Sequence, residues 1–436
     1  MERIYTTEVK TRIGERVRLA GWLHTLRRMG GINFLVLRDV KGTIQIVVDA
    51  ERPAALAALE GLLPETVLAV EGTVVAEPQA PDGVELHDPA FDVLSPVSEA
   101  APLSLNKPML KANLPVFLDH AVVGLRHPAK RALFRLSAGV MAGYRATLNS
   151  LGFTEIQTPK LVASATEGGA NVFAVKYFDR QAYLAQSPQF YKQIMVGVFE
   201  RVYEVGPVFR AEPHDTVRHI NEYVSLDVEM GFIRNHLDVM AVLTEVVAGI
   251  LGHLKAAYAP ELALLDAKLP TVLRPIPAIY FPEAQELILK RWGEDCRGEP
   301  DLAPQHERWL GSWAQEEYGS DFLFVTGYPM EKRPFYTHPN PADPRYSNSF
   351  DLLFRGTELV TGGQRLHLYQ DYLDAAARKG YKDLAPFETY LEAFKFGMPP
   401  HGGFAIGLER FIMQLLGLDN IRLATLFPRD LGRLAP

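Results

Sequence analysis

The stretch FRAEPHDTVRHINEYVSLDVEM, residues 209–230, is the most informative part of this sequence. It predicts a strand, a polar loop and a returning strand. Polar and apolar residues alternate in the returning strand, so period-two geometry places Asp227 and Glu229 on one face. Arg210 and Glu212 share a face by the same rule. The loop carries His214, Arg218 and His219. An arginine among acids, beneath a basic loop, suits a nucleotide triphosphate beside a cationic amine.

Composition restricts the class of protein. The chain has 436 residues, of which 47% are hydrophobic and 22% charged, so we expect two or more domains. The segment MERIYTTEVK has no apolar signal core, and the apolar run 239–254 contains Glu245 and is too short to span a bilayer. We therefore expect a cytoplasmic protein. Cys296 is the only cysteine, which excludes an intrachain disulfide. A net charge of −7 argues against a non-specific DNA coat but allows RNA binding through local basic patches.

Short strands with turn signals dominate residues 17–95. Three strands, a helix over 53–62 and two further strands follow the order of an OB-fold barrel, which we assign to residues 1–103. Such barrels often bind single-stranded nucleic acid through aromatic stacking and basic residues. The candidates are Arg27, Arg28, Phe34 and Gln45. A ring in the barrel core is the alternative interpretation of Phe34.

A second domain follows a linker. Prolines at 102, 108 and 115 break regular structure, and we place a hinge at residues 104–122. Residues 123–436 then mix helices and strands, with helices expected over 129–151, 237–257 and 281–291. The fold class is α+β, an antiparallel sheet flanked by helices behind the OB-fold barrel.

Three motifs in order resemble the class II aminoacyl-tRNA synthetases. LGFTEIQTPKL at 151–161 is similar to motif 1, FRAE with its loop to motif 2, and GLER at 407–410 to motif 3. QSPQFYKQ at 186–193 and GGQR at 362–365 narrow the resemblance to the aspartyl enzymes of the archaeal and eukaryotic type. It implies that aspartate attacks the α-phosphate of ATP and that the adenylate then acylates the 3′-hydroxyl of tRNA.

The resemblance assigns roles around ATP. Arg210 would hold the α-phosphate and the substrate carboxylate, and Arg410 would meet the bent triphosphate. Glu212 would bind the adenine amino group and Tyr223 would stack on the ring. The other implied ATP contacts are Arg218, His219, Ile220, Glu358 and Gly407. Asp351 and Glu358 resemble a magnesium-binding pair, for which a solvated hairpin with two acids is the alternative.

The resemblance also assigns the amino-acid pocket. Lys192 and Arg365 would bind the side-chain carboxylate of aspartate, and an amide would leave these cations poorly paired. Glu167, beside a Gly168-Gly169 hinge, resembles a mobile acid that closes over the amino acid. The remaining aspartate contacts implied are Ser187, Gln189, Asp227 and Thr361, of which Ser187, Gln189 and Asp227 would hold the α-amino group.

Transfer RNA selection is predicted to depend on the barrel. Phe34 and Gln45 keep the spacing of family residues that stack on and read the anticodon. His24, and less directly Pro81, match enzymes that charge both tRNA-Asp and tRNA-Asn, whereas strict enzymes commonly have tryptophan and lysine there. The implied partners are L-aspartate, ATP, Mg²⁺, both tRNAs, a second copy of the chain and a tRNA-dependent amidotransferase downstream.

Several alternative functions are compatible with the same sequence. One is an aspartyl enzyme restricted to tRNA-Asp, and another is an asparaginyl- or lysyl-tRNA synthetase. The related asparaginyl enzymes typically carry an acid at the position of Lys192, which disfavours that choice. A catalytically inactive RNA-binding relative is disfavoured by the presence of both motif arginines. An ammonia-using ligase is disfavoured by the OB-fold barrel.

Overall fold

The structure, a computed structural model, describes residues 1–29, 32–49, 51–163, 171–213 and 215–435. The chain divides into two compact units, Met1–Lys130 and Arg131–Pro436.

The first unit contains a closed five-stranded barrel with strand order β1-β2-β3-β5-β4. Its elements are β1 (Arg16–Met29), β2 (Ile32–Arg38), β3 (Thr43–Asp49), α1 (Pro53–Ala58), β4 (Val67–Ala76) and β5 (Val84–Ser95). Alternate residues of the strands point inward and form one apolar core, which includes Leu19, Leu35 and Ile46. The expected order of strands and helix is confirmed, although α1 ends four residues earlier than expected.

The segment after the barrel is partly helical. Helix α2 (Leu114–Asp119) lies within the hinge expected at residues 104–122, and the short α3 (Ala121–Gly124) begins in it. Pro115 does not prevent the helix because it lies in the first turn, where proline's missing N–H costs no hydrogen bond. The side chain of Asn113 caps this helix by accepting from Val116 N at 3.0 Å.

The second unit is an eight-stranded sheet with helices and a small three-stranded sheet. Its elements up to the central hairpin are α4 (Pro128–Ser150, beginning at the end of the first unit), β6 (Thr154–Glu155), β7 (Leu161–Val162), β8 (Ala174–Tyr177), β9 (Arg180–Leu184), α5 (Gln189–Phe199), β10 (Arg201–Phe209) and β11 (Glu222–Gly231). There follow α6 (His236–Ala257), α7 (Ala259–Leu264), β12 (Ala278–Tyr280), α8 (Phe281–Trp292), α9 (Pro304–Tyr318), β13 (Phe322–Thr326), β14 (Ser349–Phe354), β15 (Thr357–Gln364), α10 (Tyr369–Arg378), α11 (Glu388–Lys395), β16 (His401–Gly407) and α12 (Leu408–Leu416).

The large sheet has the order β12-β13-β14-β15-β16-β11-β10-β6. From β13 to β10 every neighbouring pair is antiparallel, as expected, whereas β12 and β6 add parallel pairs at the two edges. β10 and β11 form the hairpin that alternation in residues 209–230 predicts. Because Arg210 lies just beyond the end of β10, it belongs to the connecting loop rather than to the strand.

Helix α6 covers one face of the sheet. It has 22 residues, so by length and composition alone it could cross a membrane, and the expectation that this run is too short was wrong. Its buried residues, among them Val239, Leu243 and Ile250, instead join the apolar core between sheet and helices. Among the described residues it is the one helix with this length and hydropathy.

Candidate active site

A polar cavity of about 540 Å³ opens above the middle of the large sheet. It brings together fifteen of the residues selected from the sequence: Ser187, Gln189, Lys192, Arg210, Glu212, Arg218, His219, Ile220, Tyr223, Asp227, Glu358, Thr361, Arg365, Gly407 and Arg410. These residues come from α5 and the segment before it, from β11 and the loop that connects β10 to it, from β15 and the residue after it, and from the β16–α12 junction. Residues more than 200 positions apart in sequence, such as Ser187 and Arg410, therefore face one space.

One end of the cavity contains two buried cations above two buried acids. Lys192 Nζ lies 2.9 Å from Asp227 Oδ1 and 3.5 Å from Glu229 Oε2. Arg365 Nε lies 3.0 Å from Glu229 Oε1. Ser225 Oγ donates to Asp227 Oδ2 at 2.5 Å. The formal charges of these four groups sum to zero, because each cation has an acid partner.

Glu229 is the residue that organises this pair of cations, and the sequence did not single it out as a site residue. Its side chain is fully buried. Burial would raise the pKa of Glu229, but Arg365 and Lys192 outweigh burial and lower the pKa. The glycine at 403 makes room for it, since a Cβ there would lie 2.3 Å from Glu229 Oε2. The sequence offered one signal for this role, since strand alternation places Glu229 on the same face as Asp227.

The ion pairs change the expected basis of amino-acid selection. Asparagine would not leave Lys192 and Arg365 unpaired, because Asp227 and Glu229 already compensate both charges. If Lys192 and Arg365 bind the side chain of the substrate, selection would instead depend on hydrogen-bond polarity. An ammonium and a guanidinium offer only donors, so they satisfy both oxygens of a carboxylate, whereas the NH₂ group of an amide would face another donor.

The opposite end of the cavity carries the motif 2 loop. Arg210 Nη1 lies 3.7 Å from Glu212 Oε1, and its guanidinium carbon lies 5.9 Å from the ring centroid of Tyr223. His219 Nε2 is 3.7 Å from Glu212 Oε2. Asn221 closes the loop by donating to the carbonyl oxygen of Arg210 at 2.7 Å. A flat aromatic ring beside an arginine and an acid can hold a purine next to a phosphate.

The motif 3 arginine lies where the strand changes to a helix. Gly407 ends β16 and precedes the first turn of α12, which contains Arg410, as the sequence predicts. Arg410 Nη1 donates to the carbonyl oxygen of Glu358 at 3.0 Å and lies 3.8 Å from its carboxylate. Ile220 packs against the neighbouring Met413 and Ile421, so it supports the wall of this part of the cavity.

The two acids selected as metal ligands lie on adjacent strands, β14 and β15. Asp351 is buried and 3.2 Å from Arg333 Nη2, whereas the Glu358 carboxylate is 39% exposed. Burial raises the pKa of Asp351 to about 6, with Arg333 opposing the rise and Glu358 adding to it. Arg333, which also lines the cavity, was missed because it comes from the irregular segment after β13.

A β-bulge brings Thr361 onto the same face as Glu358. Leu353 pairs with Glu358 but Leu352 pairs with Val360, so Leu359 is an extra residue. Residues three apart would otherwise point to opposite faces of the sheet. With the bulge, Thr361 Oγ1 donates to Glu358 Oε1 at 3.1 Å.

Two residues selected from the sequence lie outside the described residues. They are Glu167, the acid in the glycine-rich loop together with its Gly168-Gly169 hinge, and His214 of the motif 2 loop.

In the first unit, the candidate anticodon residues are all half-buried or exposed. Phe34 pairs with Arg27 on β1 and Val47 on β3, and it is half-buried and absent from the apolar core cluster. The alternative of a core ring is therefore wrong. Gln45 Nε2 donates to Glu85 Oε2 at 2.9 Å. Arg27, Arg28 and Pro81 are exposed.

His24 lies at a bulge of β1, between residues that pair with β2. Its Nδ1 is 3.1 Å from Arg38 Nη1, and Arg38 in turn forms a buried ion pair with Glu65 at 2.8 Å. Burial and then Arg38 lower the pKa of His24. A neutral ring that accepts from arginine at Nδ1 carries its proton at Nε2, the nitrogen farther from the backbone.

The fold and the cavity define a class II aminoacyl-tRNA synthetase with an OB-fold domain. The family described as "tRNA synthetases class II (D, K and N)" matches residues 113–431, and "OB-fold nucleic acid binding domain" matches residues 17–94. The chain belongs to this class II synthetase family.

Similar proteins refine this placement. The chain is 46% identical to the aspartate--tRNA(Asp/Asn) ligase of Thermus thermophilus, with 100% of both chains covered. It is 39% identical to the aspartate--tRNA(Asp) ligase of Pyrococcus horikoshii, with 99% of both covered. Among solved structures, the asparaginyl-tRNA synthetase of Pyrococcus horikoshii complexed with asparaginyl-adenylate is 34% identical over 100% of both chains, with a TM-score of 0.93.

Proposed function

We propose that this protein attaches L-aspartate to tRNA in two steps, through an aspartyl-adenylate. The observation that carries the proposal is the buried pair Lys192 and Arg365 at one end of a cavity whose other end holds Arg210 and Arg410. The first pair suits the side-chain carboxylate of aspartate. The second pair suits phosphates. Because both pairs line one cavity, aspartate and ATP could bind there side by side.

The chemistry requires positioning and charge stabilisation rather than a general base. A carboxylate is already a nucleophile when it attacks the α-phosphate of ATP. Arg210 would hold both reacting anions, and Asp227 would bind the ammonium group of aspartate. Glu212 and Tyr223 would hold adenine. Arginine is suited to this work because its planar fork can bind two oxygens at once.

The protein is further proposed to charge both tRNA-Asp and tRNA-Asn. His24 and Pro81 support this breadth, and so do the names of relatives such as the aspartate--tRNA(Asp/Asn) ligase of Deinococcus radiodurans, 46% identical with 100% of this chain covered. Aspartyl-tRNA-Asn made in this way would be the substrate of a tRNA-dependent amidotransferase. The enzyme would act in the cytoplasm, where ribosomes consume its product.

The proposed breadth of tRNA selection is tested by charging purified tRNA-Asp and tRNA-Asn with labelled aspartate. We expect both to be charged, with catalytic efficiencies within about tenfold, which corresponds to a difference of about 1.4 kcal/mol. Charging of tRNA-Asp alone would refute the broader selection and leave the aspartyl assignment intact. Pyrophosphate exchange that depends on asparagine or lysine instead of aspartate would refute that assignment too.

A homodimer is proposed from the resemblance of α4 and the following Pro159 segment to motif 1. Light scattering of the purified protein would measure about twice the 48.6 kDa mass of the chain if this is right.

Magnesium is proposed as the metal cofactor, and the acids fit it chemically. Asp351 is an acid whose ionisation is disfavoured by burial, and a second acid, Glu358, adds to that effect. A divalent cation with oxygen ligands would relieve this repulsion. A bound magnesium ion would neutralise part of the negative charge of the triphosphate. Asp351 and Glu358 would hold it, with Thr361 orienting the Glu358 carboxylate.

The pKa of Asp351 predicts a pH-dependent magnesium requirement. Below about pH 6 a proton occupies this carboxyl and competes with the metal, so the half-saturating Mg²⁺ concentration for pyrophosphate exchange should rise several-fold between pH 8 and pH 5.5. In Asp351→Asn the requirement should be higher at pH 8 and nearly independent of pH. An equal half-saturating concentration at both pH values in the unsubstituted enzyme would contradict the assignment.

A further inference from the structure

Glu307 connects the nucleotide-binding loop to the metal-binding strand. It lies in the first turn of α9, far in sequence from both motifs, and its side chain is only 12% exposed. Its Oε2 atom accepts a hydrogen bond from the backbone N–H of Glu358 at 3.0 Å. The same oxygen lies 3.9 Å from Arg218 Nη1 in the motif 2 loop. One carboxylate oxygen therefore faces two groups of the proposed ATP site.

Close backbone packing fixes where this side chain starts. Helix α9 rests directly on the turn between β14 and β15, where Arg355 and Gly356 both have positive φ. A Cβ on Gly311 would lie 2.5 Å from Gly356 Cα, and a Cβ on Gly356 would lie 2.8 Å from Arg308 Cα. No larger residue fits at either position without moving the helix. Because α9 packs this closely on the β14–β15 turn, the side chain of Glu307 can reach β15.

Glu358 is consequently held at both of its backbone polar groups by side chains from distant elements. Glu307 accepts from its N–H, and Arg410 donates to its carbonyl oxygen at 3.0 Å. These contacts lie beside the bulge at Leu359, where the regular hydrogen-bond ladder with β14 is interrupted. The side chains of Glu307 and Arg410 therefore replace hydrogen bonds that a regular strand pairing would give to the backbone of Glu358.

We propose that Glu307 is a positioning residue of the nucleotide site, which orients Glu358 through its backbone and holds Arg218 beside the triphosphate position. This inference rests on the proposed roles of Arg218 and Glu358. Glu307 acts through these two residues and needs no contact with a substrate. Its two functions are separable, because the hydrogen bond from Glu358 N requires only an acceptor, whereas attraction of Arg218 requires a negative charge.

Two substitutions separate these functions. Glu307→Gln keeps an acceptor oxygen and removes the charge, and Glu307→Ala removes both. Glu317→Gln is the matched control, since Glu317 lies on the exposed side of the same helix and loses the same charge. The measurement is aspartate-dependent pyrophosphate exchange by the full-length enzyme, with titrations of ATP, aspartate and Mg²⁺. It is made at pH 8, because burial raises the pKa of Glu307 to about 7.

For Glu307→Gln we expect the KM for ATP to rise about threefold, with the half-saturating Mg²⁺ concentration unchanged. For Glu307→Ala we expect about a tenfold rise in the KM for ATP and a severalfold rise in the Mg²⁺ requirement, as one lost hydrogen bond to a charged group commonly causes. The KM for aspartate should stay constant in both, and Glu317→Gln should match the unsubstituted enzyme.

Equal changes in the ATP and aspartate KM values would indicate a general structural role and overturn the proposal, as would values like those of Glu317→Gln. Failure of the proposed function is distinguishable, because the unsubstituted enzyme would then show no aspartate-dependent exchange. Glu307→Ala combined with Glu358→Gln gives a final check. If Glu307 acts on the metal through Glu358, the Mg²⁺ requirement of the double variant should equal that of Glu358→Gln alone.

Discussion

Replacing Lys192 with methionine is expected to lower aspartate-dependent pyrophosphate exchange by about a thousandfold or more. The ammonium group is buried between Asp227 and Glu229 and faces the proposed position of the substrate carboxylate. Methionine has a similar length and offers no donor. The loss should appear in kcat/KM for aspartate, while binding of ATP, measured by equilibrium methods, should change little.

Stability must be separated from recognition in this experiment. Removing one partner of a buried ion pair commonly costs about 3–5 kcal/mol because the remaining charge is uncompensated. Lys192→Glu would be worse, since it would add a third buried acid beside Asp227 and Glu229. The double variant Lys192→Met/Asp227→Asn removes both partners of one ion pair and leaves Arg365 paired with Glu229, so it should recover much of the free energy of unfolding without recovering activity. Recovery of both, or full activity of Lys192→Met, would show that the aspartate pocket lies elsewhere.

The parts of the site that follow a regular period could be predicted from the sequence. Alternation in β11 places Asp227 and Glu229 on one face, and both contact Lys192. The change from strand to helix at Gly407 also follows directly from the apolar pattern after it.

The parts that depend on irregular geometry could not be predicted. Thr361 reaches Glu358 only because Leu359 bulges, and a bulge has no period. Glu307 and Arg333 reach the site from a helix and an irregular segment whose sequences carry no synthetase motif. Their positions are set by tertiary packing, such as the contact between Gly311 and Gly356, which no local pattern encodes.

The ion pairs of Lys192 and Arg365 also could not be predicted from the sequence. Lys192 and Arg365 could be recognised as cations suited to a carboxylate, but their acid partners decide how they select it. The ion pairs with Asp227 and Glu229 leave a formally neutral cluster, so in the proposed pocket an amide would be excluded by the direction of hydrogen bonds rather than by uncompensated charge. This distinction could be drawn only once distances were known.

Arg210→Lys is expected to reduce kcat for pyrophosphate exchange by about 10²–10³-fold, although the substitution keeps the positive charge. Arg210 lines the cavity and lies near both Glu212 and the ring of Tyr223. The proposed role is to bridge the substrate carboxylate and the α-phosphate, whose charge increases at the reacting oxygens in the transition state. A guanidinium can bind both anions through separate N–H groups, whereas an ammonium is a point charge and must favour one of them.

The kinetic pattern tests whether Arg210 acts on the transition state. If it does, kcat should fall by far more than KM for either substrate rises, because both ground-state ligands retain their other contacts. Arg234→Lys is the matched control, since Arg234 is an exposed arginine that pairs with Asp238 on the surface, and it should leave the kinetics unchanged. A rise in the KM for ATP with kcat preserved would mean that Arg210 only binds the nucleotide, and the bridge between the two anions would then have to come from another residue of the cavity.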